Sequence, residues 1–179
     1  MKSMTKADLK TCKLWLFDVD NTLIKDVEHP EPFDDALALV DGLRDHNKTL
    51  GILTNVGRLS SRHIHRAVVN AGFDFELEKT FSAGAAAAAY IYYRNPHARC
   101  FVISEGGATE DFILKGLHVA HNPPIDYVAV AADRGMTFEE LNFATRMVSE
   151  GAELICVSGS RSYPGVYLGR EDVFIGERS

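Results

Sequence analysis

Short apolar runs and helix-spaced stretches take turns along this chain, and that alternation limits its fold more than any other feature. Leu14 to Val19 is an apolar run broken only by Asp18, Phe33 to Asn47 has helical spacing, Leu50 to Thr54 is a second mostly apolar run and Ser60 to Ala71 is helical again. Parallel strands cannot be joined by a tight turn; they need a crossover, usually a helix. The alternation therefore implies an α/β fold built on a parallel sheet with crossover helices. Local signals agree. Ser60 stands where an N-cap belongs, Ile64, Ala67, Val68 and Ala71 form one stripe, and Gly72 is placed to stop the helix.

A further unit runs from Thr80 into an alanine-rich helix, Ala83 to Tyr93, which ends before Pro96. After Arg99 the pattern restarts: a strand over Cys100 to Ile103, then a helix opened by Thr109 with Glu110 and Asp111 in its first turn and Gly116 as its stop. The Asn122, Pro123, Pro124 turn leads to a buried-type strand, Tyr127 to Ala132. Thr137 and Glu140 spell a capping box ahead of Leu141, Ala144, Met147 and Val148, Gly151 closes that helix, and Leu154 to Val157 is a last strand. The restart sets a soft division near residues 82 to 98. We expect an N-terminal part over 1–97, a separate small α/β layer over 98–163 stacked over Asp18, and a return segment over 164–179.

Charge and hydropathy exclude several roles. A net charge of −6, from 25 acidic and 19 basic side chains, includes no polycationic stretch, which argues against nucleic acid or an anionic membrane surface as partner. The first residues are polar through Lys13, without the apolar core of a secretory leader. The most apolar stretch, Ala83 to Tyr93, falls short of the roughly 20 residues that cross a bilayer. A soluble, cytoplasmic protein is expected. Cys12, Cys100 and Cys156 are far apart and read as small core residues, not as a disulfide frame or zinc site.

Chemistry gathers at the ends of the first strands. The run Leu14 to Phe17 stops abruptly at Asp18-Val19-Asp20, two carboxylates separated by one residue. Ligands of parallel sheets bind at the carboxyl ends of the strands. There the chain can bend so that one carboxylate attacks a phosphorus while the other gives a proton to the leaving oxygen. The alternative is an Asp-rich turn with Asp20 and Asn21 as turn formers. The next strand ends in Thr54-Asn55, before Gly57 and the helix from Ser60. A hydroxyl, an amide and backbone N–H groups near a helix start suit phosphate oxygens, against the plainer reading of a Thr-Asn turn with a Ser cap. Other chemistries lack their signatures. No dinucleotide glycine fingerprint or P-loop is present, Ser158 to Ser162 is not a nucleophile elbow, and His63 and His65 at i, i+2 face different ways.

Asp18-Val19-Asp20-Asn21-Thr22-Leu23 resembles the first motif of the haloacid dehalogenase (HAD) superfamily, and Leu53-Thr54-Asn55 resembles its second. The likeness continues through Thr80-Phe81-Ser82-Ala83, Val102 to Gly107, Ala129 to Arg134 and Tyr163-Pro164, roughly residues 12 to 169 in all. Together these look like the NagD and 4-nitrophenylphosphatase branch, class IIA, which contains phosphatases of nucleotides, phosphoglycolate, glycerol phosphate and pyridoxal phosphate. The resemblance implies a Rossmann-like core with an α/β cap inserted after the second motif. It implies that Asp18 forms an aspartyl-phosphate and helps hold Mg²⁺, that Asp20 is the acid/base and offers its carbonyl to the metal, and that Thr54 and the Asn55 backbone grip the phosphoryl oxygens. The substrate would be a small phosphorylated metabolite.

Departures from the pattern carry expectations of their own. Asn21 replaces a common Gly, Val56 replaces a second Asn, and Val157-Ser158-Gly159-Ser160 replaces a Thr-Asn-Pro-Asp run. No Lys follows Lys115, and Glu171-Asp172 lacks the late Gly-Asp pattern, so a phosphate-neutralising Lys and further metal carboxylates are not expected. The core reads as truncated, and the alternative function is a catalytically degenerate HAD-fold protein that binds a phosphorylated ligand or a partner protein. Leu14 to Phe17 would then be a strand with an open edge, unguarded by Lys or Pro. We expect that edge to be covered by the chain's own Val166 to Leu168 or Val173 to Ile175, by a second copy in a homo-oligomer, or by a complementing subunit.

Overall fold

The computed structural model describes residues 10–175; the polar opening stretch before them and the last residues after them lie outside it. The chain divides into two compact units, one holding residues up to Thr54 together with Ile64–Phe81, the other Asn55–His63 together with everything from Ser82. The alanine-rich helix groups with the second unit. No helix among the described residues is long and apolar enough to cross a membrane.

The first unit is a three-stranded parallel sheet, β1 (Leu14–Phe17), β2 (Thr49–Leu53) and β3 (Thr80–Phe81), in the order β1-β2-β3. Helix α1 (Asp34–Asp45) connects β1 to β2, with Asp34 and Asp35 in its first turn, where the helix dipole favours negative charge. Helix α2 (Ser61–Asn70) connects β2 to β3, buries the stripe Ile64, Ala67 and Val68, and stops at Gly72, whose φ of 98° an L side chain resists. Val19, Leu23, Ile24, Val40, Ile52, Ile64 and Val68 are almost fully buried.

β1 and β3 are the two edge strands of this sheet. In the second unit, strands β8 (Ser162–Tyr167) and β9 (Arg170–Ile175) pair antiparallel with each other in a two-stranded sheet. A hairpin joined by so short a connection satisfies its ladder locally. The parallel register, Leu14 with Thr49, Leu16 with Gly51 and Leu53 with Phe81, places Leu14, Leu16, Leu53 and Phe81 on one sheet face. That face is open, with these side chains 55, 50, 53 and 48% exposed.

The second unit is a four-stranded parallel sheet in the order β5-β4-β6-β7, from β4 (Arg99–Ile103), β5 (His118–Val119), β6 (Tyr127–Val130) and β7 (Glu153–Cys156). Its helices are α3 (Ala83–Arg94), α4 (Gly107–Lys115) and α5 (Phe138–Ser149). Alternation along β4 feeds two cores. Cys100 and Val102 pack with Ile91 of α3 and Phe112 of α4, whereas Phe101 and Ile103 pack with Ala144 and Met147 of α5. Burial and the nearby Asp126 charge push the Cys100 thiol up to about 12. The other cysteines correct the expectation: Cys12 is half-buried, and Cys156 is exposed on the outermost strand.

Helix α5 carries the capping box read from its sequence. The Glu140 N–H donates to Thr137 Oγ1 at 3.2 Å, and the Thr137 N–H donates to Glu140 Oε2 at 2.8 Å. The Thr137 backbone and hydroxyl bonds hold the Glu140 carboxyl below its ordinary value. For an acid lowered in this way the stabilisation is present above the unfolded value and is lost as pH falls through the folded one. Thr137→Ala should cost about 1 kcal/mol at neutral pH, read as a lower urea midpoint, and the difference from wild type should shrink in acid. An unchanged midpoint at neutral pH would show the cap to be idle.

Candidate functional site

At the end of β1 the chain leaves strand conformation at once. Val19 is buried, and its carbonyl accepts the N–H groups of Thr22, Leu23 and Ile24 at 3.2, 3.0 and 3.2 Å. Residues 19–24 therefore wrap into a tight turn in which Asn21 takes φ 55°, a left-handed conformation that Asn tolerates. Asp18 is exposed, with Oδ1 accepting the Val19 N–H at 2.8 Å, and Asp20 is half-buried. The turn formers expected from the sequence are real, and they shape the segment that carries both carboxylates.

The register pairs Phe17 with Ile52, so Asp18 on β1 and Leu53-Thr54 on β2 leave the sheet at the same end. Thr54 is buried, and its N–H donates to the Phe81 carbonyl at 3.1 Å, which fixes it against β3. Asp18, Asp20 and Thr54 thus share the carboxyl end of one parallel sheet, where such folds place ligands. Asn55 is exposed and is the first residue assigned to the second unit.

Within the second unit lies a polar cluster that sequence reasoning missed. Asp111, taken as an ordinary first-turn acid, is 5% exposed. Its Oδ2 accepts the Ser82 hydroxyl at 2.6 Å, and its Oδ1 and Oδ2 accept the Ser61 N–H at 3.1 and 3.3 Å. The Ser61 hydroxyl donates to Ser82 Oγ at 3.1 Å, and Ser82 also caps α3 by accepting the Ala85 N–H at 2.9 Å. Burial pushes the Asp111 carboxyl up, the bonds from Ser82 and Ser61 pull against that, and the Glu110 charge pushes it further up. The folded chain therefore takes up this proton more readily than the unfolded one. Stability from this group is greatest below its unfolded value and declines as pH rises through the folded value.

The helix holding Asp111 starts earlier than expected. Gly106 caps it at φ 105°, α4 begins at Gly107, and Thr109 sits inside the first turn. Ser104, still on the strand side, accepts the N–H groups of Gly106 and Thr109 at 3.2 and 3.3 Å and so replaces Thr109 as the capping side chain. A pair of adjacent glycines was the available signal, since Gly tolerates both left-handed backbone and close approach. Nearby, Glu105 receives Arg134 through Nε, Nη2 and backbone N–H at 2.7, 2.7 and 2.9 Å. Burial raises the Glu105 carboxyl, but the Arg134 bonds and the Arg134 and Arg58 charges outweigh it and leave the group below its ordinary value.

His63 and His65 serve separate partners. His63 Nδ1 lies 2.8 Å from Ser60 Oγ and 3.3 Å from Glu110 Oε2, and His65 Nε2 lies 2.9 Å from the Phe75 carbonyl. Among the described residues no three His, Cys, Asp or Glu side chains gather as a metal-holding group.

Residues 15–118 match the family model of the haloacid dehalogenase-like hydrolases. An acid sugar phosphatase of Staphylococcus epidermidis is 25% identical over 156 residues, covering 87% of this chain and 59% of the relative. The sugar-phosphatase AraL of Bacillus subtilis is 24% identical over 150 residues, covering 83% of this chain and 54% of the relative. The p-nitrophenyl phosphatase from Archaeoglobus fulgidus superposes with a TM-score of 0.85 at 23% identity, over 93% of this chain and 61% of that one. A 4-nitrophenylphosphatase from Thermotoga maritima gives 0.84 at 21%, over 95% and 62%. The chain thus spans little more than half to three-fifths of the length of the proteins it matches.

Proposed function

The chain belongs to the haloacid dehalogenase-like hydrolases, and from that membership we propose that it is a phosphatase of small phosphomonoesters, sugar phosphates among them, working in the cytoplasm. One observation carries the reading: Asp18, Asp20 and Thr54 leave the same end of one parallel sheet. In the proposed reaction an Asp18 carboxylate oxygen attacks phosphorus. The bond from phosphorus to the leaving alcohol breaks, and Asp20 gives that oxygen its proton. Asp20 then takes a proton from water, whose oxygen attacks the aspartyl-phosphate, releasing inorganic phosphate and restoring Asp18. Thr54 and the Asn55 backbone N–H hold the phosphoryl oxygens.

The donor set suits a hard cation. Mg²⁺ keeps several waters and takes one or two carboxylates plus substrate phosphate oxygens. The Asp18 carboxylate and the Asp20 carbonyl, on one turn, fit that modest demand. When bound, Mg²⁺ neutralises charge on the phosphoryl group. Phosphate release from p-nitrophenyl phosphate and from a panel of sugar phosphates, with and without Mg²⁺, tests the proposal, the expected result being Mg²⁺-dependent release. The second reading is a catalytically degenerate fold retained for binding a phosphorylated ligand or a partner protein. It would gain if no ester were hydrolysed while inorganic phosphate still raised the melting temperature.

The open edge and face of the first sheet call for a cover, since a long apolar edge invites pairing. We propose that a second polypeptide supplies it, a second copy when the chain is alone in solution, or a complementing subunit. Purified chain should scatter light as an oligomer, and Leu14→Lys with Leu16→Lys should return it to a monomer. A wild-type monomer across the micromolar range would remove the second-copy arm.

A further inference from the structure

The segment that opens with Asn55 is held by α4 through two separate devices. At Gly107 the helix backbone touches it directly, because a Cβ there would lie 2.3 Å from the Arg58 carbonyl oxygen and 2.5 Å from Leu59 Cα. One turn further along, the buried Asp111 carboxylate accepts the Ser61 N–H, the first backbone donor of α2, while Ser82 bonds to both Asp111 and Ser61. Gly84 leaves room for that carboxylate, since a Cβ there would lie 2.9 Å from Asp111 Oδ2. On the outer side Glu110 meets His63 at 3.3 Å and Arg62 at 3.9 Å.

A buried carboxylate is costly unless its acceptor positions are filled. Here they are filled by the Ser61 N–H at the start of α2, 50 residues before Asp111, and by the Ser82 hydroxyl, 29 residues before it. Helix capping alone does not call for a buried acid, because a neutral Ser or Thr caps as well. The Asp111 carboxyl instead accepts from the Ser61 N–H and the Ser82 hydroxyl together, so one side chain fixes donors on two separate segments.

We propose that Asp111, backed by the bare Gly107 backbone, is a positioning residue that sets residues 55–63, so that the Asn55 end of this segment is preorganised for a phosphoryl group. This rests on the phosphatase reading for what the segment grips, but not for how it is held. Ser82 links the same carboxylate to the start of α3, so two helix N-termini are set by one side chain. Preorganised donors act without reorganising when charge arrives, and a loosened segment loses that advantage in binding first.

Hydrogen exchange by mass spectrometry on the full chain decides the structural half. In Asp111→Ala, amides of 55–63 should exchange about tenfold faster or more, because the acceptor of the Ser61 N–H and the Ser82 hydroxyl is lost, while β4 and β6 amides stay as in wild type. Asp111→Asn, which keeps an acceptor for the Ser61 N–H, should restore most of the protection. Should Asp111→Ala fail to fold, Gly107→Ala presses on the same segment from the other device and must speed the same amides. Unchanged exchange, or equal acceleration throughout the second unit, overturns the proposal. The functional half is read as a KM for p-nitrophenyl phosphate raised about tenfold with kcat within about threefold; an unchanged KM beside a loosened segment overturns it. If the wild type hydrolyses nothing, the phosphatase reading fails by itself, and protection of 55–63 by inorganic phosphate, present in wild type and weakened in Asp111→Ala, replaces the KM comparison.

Discussion

Asp18→Asn should reduce turnover of p-nitrophenyl phosphate by about 10⁴-fold or more, the scale of loss when a covalent nucleophile is removed. The amide oxygen of Asn is a poor nucleophile for a step that forms a bond to phosphorus. The variant should fold, because Asp18 is exposed and the Asn Oδ1 can still accept the Val19 N–H that now bonds at 2.8 Å. Its stability should lie within about 0.5 kcal/mol of wild type, as for most exposed substitutions. Acid-quenched wild type incubated with substrate should carry an acid-stable, hydroxylamine-sensitive phosphate, and the variant should carry none. Activity that persists in Asp18→Asn at more than a few per cent would remove the nucleophile assignment.

Asp20→Asn should cost about 10²- to 10⁴-fold, the range for a positioned general acid or base, and the loss should depend on the leaving group. p-Nitrophenolate departs without much help, so for that ester the first step survives and the second, which needs a base for water, becomes slow. Phosphoenzyme should then accumulate and a burst of p-nitrophenol should precede the steady state. An alkyl phosphate such as a sugar phosphate needs protonation to leave, so its loss should be the larger and no burst should appear. Equal losses on both esters with no accumulating phosphoenzyme would reduce Asp20 to a residue that shapes the turn. That role is already visible in its backbone bridge to Ile24.

The sequence marked elements well wherever the deciding partners are close in the chain. Ser60 caps α2 through the His63 N–H three residues on, Ser82 caps α3 through Ala85, and Thr137 and Glu140 close their box across one turn. Gly72, Gly116 and Gly151 end their helices at φ 98°, 93° and 112°, a conformation for which glycine is the default choice. The candidate site was legible for the same reason. Two carboxylates at the end of an apolar run, and Thr-Asn at the end of the next, needed only the parallel sheet to be brought to one edge.

Elsewhere the deciding partners are remote. The two-residue strand β5 passed unread after Gly116, because its pairing with Arg99 and Cys100 defines it and its own residues do not. Cys156 sits in an apolar run like a core residue, yet the order β5-β4-β6-β7 leaves its strand outermost. The division between Thr54 and Asn55 has no compositional mark, and the segment after it is claimed by Gly107 and Asp111. By itself the sequence determined most of the helices and longer strands, the caps formed within one turn and which carboxylates end the first strand, since those outcomes depend on backbone sterics and hydrogen bonds spanning a turn or less. Only the tertiary structure decided that the Cys156 strand lies outermost and that an acid drawn like any first-turn carboxylate would be buried under two serines. Burial is set by what packs alongside, and for Asp111 those neighbours are 29 and 50 residues away.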